Sequence, residues 1–104
     1  MRGGLFSAAI LSHIDLAGAI AATRTAARNF VTRSMREVEF IAPVYVGDVV
    51  SFYTDVRREG TTSITIDIVV EAERGKEPRQ RVKVTEAEVV YVSVDEAGKP
   101  IPIR

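Results

Sequence analysis

Residues 7–28, SAAILSHIDLAGAIAATRTAAR, decide the fold. The stretch has no proline and is dominated by alanine and other residues that tolerate the helix, so it is predicted to be one long helix. Ser7 is the predicted N-cap, because its hydroxyl can accept a first-turn amide. Ala8, Ile10, Leu11, Ile14, Leu16, Ala19 and Ile20 leave few polar positions. A helix that is apolar nearly all round is predicted to be buried on most sides. Polar residues return only from Thr23 onward, so the C-terminal end should reach solvent. His13 and Asp15 interrupt the apolar run. The cleaved core of a signal peptide is about 7–15 uninterrupted apolar residues. A charge in mid-span is also costly in lipid. The stretch is therefore read as a buried helix of a cytoplasmic protein with no membrane partner.

After Asn29 the texture changes to that of strands. Phe30 to Ile41 mixes Phe, Val and Thr with charges. Ala42-Pro43 and Val46-Gly47-Asp48 are turn signals. From Val49 to Arg58, Val50, Phe52, Thr54 and Val56 face one way. Glu59-Gly60 turns the chain back into Thr61 to Glu73, where Ile64, Ile66, Ile68 and Val70 alternate with Ser63, Thr65 and Asp67. Gln80 to Val94 is the last strand. Its phase slips between Val84 and Ala87, which predicts a bulge. Asp95 to Lys99 is a turn and Pro100 to Arg104 a short tail. One apolar helix followed by four long antiparallel strands predicts an α+β fold. A sheet wrapped around one long apolar helix is the hotdog arrangement, here as a single domain over residues 1–104. Exposed sheet edges favour pairing of two subunits.

Composition excludes several chemistries. The 14 basic and 14 acidic residues cancel, so no global field attracts nucleic acid. The chain has no cysteine, which removes disulfides and thiol nucleophiles, and one histidine makes a histidine-based metal site in one chain improbable.

Four segments carry a family resemblance. They are Ser12-His13-Ile14-Asp15-Leu16-Ala17-Gly18-Ala19-Ile20, Phe40 to Val50 with its P-V-x-V-G-D-V-V core, Gly60-Thr61-Thr62-Ser63, and Thr85-Glu86-Ala87 leading to Tyr91-Val92, Asp95, Gly98, Lys99 and Pro100. In order and spacing the chain resembles the YciA-type hotdog acyl-CoA thioesterases, relatives of the cytosolic brain-type acyl-CoA hydrolase. The resemblance implies hydrolysis of fatty acyl-CoA to a fatty acid and coenzyme A. It implies no cofactor, coenzyme A being part of the substrate. It also implies a homo-oligomer, a dimer of hotdogs or a trimer of such dimers. The family places a strand and an asparagine-bearing loop before the helix, and this sequence begins after both. The family's glycine pair at the helix start is Ser7-Ala8 here.

Asp15 is the expected catalytic residue. A carboxylate within an apolar helix needs an explanation. It is either a structural aspartate bonded to a neighbouring backbone or a wet interface, or a general base or nucleophile at a thioester. The amides near Ser7, Ala8 and Ala9, at the helix start, are expected to meet the developing oxyanion. Ser12, three residues before Asp15, shares its face and either bonds the carboxylate or a water, or simply packs. His13 lies about 200° from Asp15 around the helix, so a dyad is not expected and a packing role is. Arg57, Arg58, Gly60, Thr61, Thr62 and Ser63 offer guanidinium forks, hydroxyls and turn amides suited to the phosphates of coenzyme A. Arg79, Arg81 and Lys83 form a second basic run. Thr32 is a candidate for the active-site wall. The competing reading is a shortened hotdog module that binds acyl-CoA or another acyl ligand without turning it over.

Overall fold

A computed structural model describes residues 4–75 and 80–104, with side chains for all of these except residues 4–8 and 37. The helix α1 (Gly4–Thr25) is followed by the strands β1 (Asn29–Phe40), β2 (Val49–Glu59), β3 (Ser63–Arg74) and β4 (Gln80–Val94). The four strands form one antiparallel sheet in the order β1-β4-β3-β2. The strands lie where the alternation placed them. The helix does not start where expected: it runs from Gly4, so Ser7 sits inside it and is not its cap.

The long hairpin partners β3 and β4 build the core. On β3, Ile64, Ile66, Ile68, Val70 and Ala72 point to one face and are fully buried. Opposite them on β4 lie Tyr91, Val89 and Ala87, all buried. Each large apolar side chain removed from water in this way contributes about 1.5–3 kcal/mol. The slip in β4 is a bulge: Val70 faces Thr85 while Glu71 faces Lys83, so Val84 is the extra residue. Edge strands carry the other bulges. One falls between Thr32 and Ser34 and one between Arg36 and Glu39 on β1, and one between Val56 and Arg58 on β2.

α1 contacts all four strands. Ile10, Ile14, Gly18 and Ala22, spaced four apart, form its buried line. Burial on most sides, expected from its composition, is not what the fold shows. Leu16 and Ile20 on the other side are 58% and 48% exposed. Four strands cover one side of a helix and leave the opposite side open.

The short tail after the turn docks on the sheet. Ile103 is buried, the Ile101 amide donates to the Ser93 carbonyl at 2.9 Å, and the Ile103 amide donates to the Thr61 carbonyl at 2.8 Å. The turn expected at Gly47-Asp48 is present: Gly47 has φ 96°, and the Tyr45 amide donates to Asp48 Oδ2 at 2.8 Å.

Helix and sheet approach closely at Gly18. A Cβ there would collide with Tyr91 Oη and lie 2.9 Å from two ring carbons. Tyr91 Oη donates to the main-chain carbonyl of Asp15 at 2.6 Å. Gly18→Ala is expected to cost about 1–3 kcal/mol, as overpacking does. In a Tyr91→Phe background, where the nearest atom is gone, the same substitution should cost less. Urea unfolding of the four proteins measures both costs, and equal costs would show that the strain is relieved elsewhere.

Burial, and then the Asp15 carboxylate, push the Tyr91 phenol up from its ordinary 10.0. A raised folded-state pKa gives stability that is complete below the unfolded value of 10.0 and is lost as pH rises above it. Wild-type protein should therefore lose stability more steeply than Tyr91→Phe on the alkaline side, read as unfolding midpoint against pH.

Candidate active site

Asp15 is delivered by α1 and Thr32 by β1. Thr32 pairs with Tyr91 across the sheet, which puts both on the helix-facing side. Thr32 Oγ1 donates to Asp15 Oδ1 at 2.6 Å. The side chain of Asp15 is thus held by Thr32 while its carbonyl is held by Tyr91. The carboxylate is half-buried, and its partner is a side-chain hydroxyl rather than a neighbouring backbone group. It borders an open groove of about 440 Å³, whose walls include Ser12, Leu16, Phe30, Thr32 and Tyr91. A carboxylate fixed by one hydroxyl, at the wall of a groove that also carries Leu16 and Phe30, can take a proton from water or attack a carbonyl itself.

The other helix candidates are placed differently from one another. Ser12 lines the same groove as Asp15. His13 borders it too, but the ring is engaged elsewhere. His13 Nδ1 donates to the Ala9 carbonyl at 2.8 Å, and the ring stacks on Phe52 with centroids 5.9 Å apart. It leans toward β2 while Asp15 leans toward β1, as the angular separation required. The side chains of Ser7 and Ala8 lie outside the described residues. Because α1 begins at Gly4, the main chain at Ser7, Ala8 and Ala9 lies inside the helix, where amides donate four residues back.

The phosphate candidates lie on the opposite face of the sheet from Asp15. Arg58, Gly60 and Ser63 line a second groove of about 550 Å³ together with Arg33, Ser34 and Arg36 of β1. Arg57 is already occupied. Its Nε is 3.1 Å from Asp67 Oδ2, and its Nη1 donates to Glu88 Oε2 at 3.1 Å. The Gly60 amide closes its own turn by donating to the Ser63 carbonyl at 2.7 Å, so it is not available to a phosphate. The carbonyls of Thr61 and Thr62 accept from Ile103 and Ser93. In the second basic run, Arg81 pairs with Glu73 and Glu71, and Lys83 with Glu86; Arg79 lies outside the described residues. Sequence reasoning overlooked Tyr91 as a holder of Asp15, and Arg33 and Arg36 as neighbours of Arg58. The phase of β1 was the available signal, but its bulge at Arg33 scrambles it.

The chain matches the family model described as the Thioesterase superfamily over residues 2–79. It is 43% identical over 104 residues to the acyl-CoA thioester hydrolase YciA of Salmonella typhimurium, covering 98% of this chain and 78% of that protein. The fold superposes on the crystal structure of a hexameric hotdog fold thioesterase of Campylobacter jejuni with a TM-score of 0.84 at 45% identity, covering 91% of this chain and 73% of that one. It also superposes, with a TM-score of 0.85 at 35% identity, on an aspartate-to-alanine mutant of a hexameric broad specificity acyl-coenzyme A thioesterase, covering 91% of this chain and 70% of that one. The helix held on one face of an antiparallel sheet is the hotdog fold of these enzymes, and the chain belongs to the thioesterase superfamily, among the YciA-type acyl-CoA thioester hydrolases.

Proposed function

We propose that this chain hydrolyses fatty acyl-CoA to a free fatty acid and coenzyme A, with Asp15 at the reacting centre. The observation that carries the reading is the Thr32–Asp15 hydrogen bond of 2.6 Å at the wall of the helix-side groove. As general base, Asp15 takes a proton from water, the hydroxide adds to the thioester carbonyl, the C–S bond breaks and the thiolate is protonated. As nucleophile, it adds to the carbonyl, expels the thiolate and leaves a mixed anhydride for water to cleave. Both routes need the carboxylate held toward the groove, which Thr32 does. Ser12 lies beside the attacking group.

The phosphates of coenzyme A rest, in this reading, on the outer groove at Arg58 and the Thr61, Thr62 and Ser63 turn. The protein works as a homo-oligomer in the cytoplasm. Exposed Leu16, Ile20 and Val31 offer apolar surface for a second copy, and the Campylobacter jejuni relative is hexameric.

Thiol release from a series of acyl-CoA esters tests the proposal. Asp15→Asn should lower kcat by about 10²–10⁴-fold, the usual worth of a positioned acid–base group, without lowering the unfolding midpoint. Thr32→Val should lower it by about tenfold, the value of one hydrogen bond to a charged group. Undiminished turnover in Asp15→Asn would remove that residue from the chemistry. A folded wild-type protein that binds acyl-CoA and releases no thiol would instead support the binding module.

A further inference from the structure

The outer face of the sheet carries a charge arrangement that thioester cleavage does not use. Across three neighbouring strands, Arg36 of β1 faces Glu88 of β4, and Glu88 faces Asp67 of β3. Glu88 is only 5% exposed. A carboxylate so covered needs partners, and it has two. Arg36 donates from Nη2 at 2.8 Å and from Nε at 3.2 Å to Glu88 Oε1. Arg57 donates from Nη1 to Oε2 at 3.1 Å. Arg57 is also tied to Asp67, so its charge is matched on both sides.

Arg36 is placed differently. Its side chain is 59% exposed, and two of its five N–H donors are engaged with Glu88. It stands on the rim of the outer groove with Arg33 and Arg58, above a floor of Thr65 and Val90. The nearby Glu59 is drawn off by Arg104, at 2.7 and 3.1 Å. Three guanidinium groups around a groove suit a phosphate or pyrophosphate, which takes forked donors on several oxygens.

We propose that Arg36 is a further phosphate-binding residue for the coenzyme A moiety and that Glu88 is the positioning residue that presents it. The inference rests on the acyl-CoA reading above. Glu88 has two effects of opposite sign. Its negative charge weakens the pull on an anion. Its hydrogen bonds fix a long side chain that would otherwise lose much rotamer freedom on binding. The proposal requires that the second effect wins, because the charge of Glu88 is already shared between two arginines.

The experiment compares wild type, Arg36→Gln, Arg36→Lys and Glu88→Gln. One readout is the ratio of kcat/KM for an acyl-CoA to kcat/KM for the same acyl group on N-acetylcysteamine, which has no phosphate. The other is calorimetric binding of adenosine 3′,5′-bisphosphate, which needs no turnover. Arg36→Gln should lower the ratio and weaken the bisphosphate about tenfold, the worth of one charge-assisted hydrogen bond. Glu88→Gln should shift both in the same direction, through KM rather than kcat. Should Glu88→Gln not fold, Arg36→Lys tests the same geometry: it keeps the charge, loses the fork and should fall between wild type and Arg36→Gln. Unchanged bisphosphate binding in Arg36→Gln overturns the assignment, as does a wild type that binds no bisphosphate. Tighter binding in Glu88→Gln overturns the positioning role. Absence of hydrolysis by a wild type that binds the bisphosphate through Arg36 would sink the catalytic reading and leave this one standing.

Discussion

The missing side chain at Gly18 is the constraint from which the rest follows. It lets the Tyr91 ring rise from the central strand into contact with the helix. There the phenol reaches the main-chain carbonyl of Asp15, three residues earlier. The Gly18–Tyr91 contact therefore ties helix height and rotation to the position of the acidic group. The same rotation turns Ile10 and Ile14 into the core and leaves Leu16 outside. Because Asp15 lies between these two sets of positions, it is half-covered. It has enough surface to meet a ligand and enough cover to be held.

β1 serves both faces of the sheet. Thr32 points to the helix and reaches Asp15. The bulge that follows sends Arg33 and Ser34 to the outer groove before Met35 returns to the core side, opposite Val89. An unbulged strand would alternate one by one and could not put two consecutive residues on the outer side. One strand thus places Thr32 beside Asp15 on the helix side and Arg33 and Ser34 on the outer side.

Much of this was legible in the residues. Alternation located β2, β3 and β4, and the phase slip after Val84 announced a bulge that the pairing confirms. Local patterns carry such information because side-chain periodicity is a property of one strand. The helix boundary was missed because Ser7 has the right chemistry for a cap while the chain before it also accepts a helix. The one-sided burial of α1 was missed because composition reports how apolar a surface is and not what covers it. Pairings such as Thr32 with Asp15 and Tyr91 with Asp15 join residues 17 and 76 positions apart, and no local signal encodes them. Arg57 illustrates the same limit. As a sequence letter it looked like a phosphate ligand, and only the register of β3 and β4 reveals the two carboxylates that occupy it.

The bulges have a consequence for misassembly. An outside strand can zip onto a sheet only along a regular run of alternating main-chain groups. On β1 that run is broken beside Arg33 and again before Glu39, so templated growth there would stall within a few residues. β2 is broken once, at Arg57, and stays regular from Val49 to Val56, with Val49, Tyr53 and Val56 exposed along it. Among the described residues the two borders of the sheet are thus unequal: one is interrupted twice, and the other keeps a longer regular stretch.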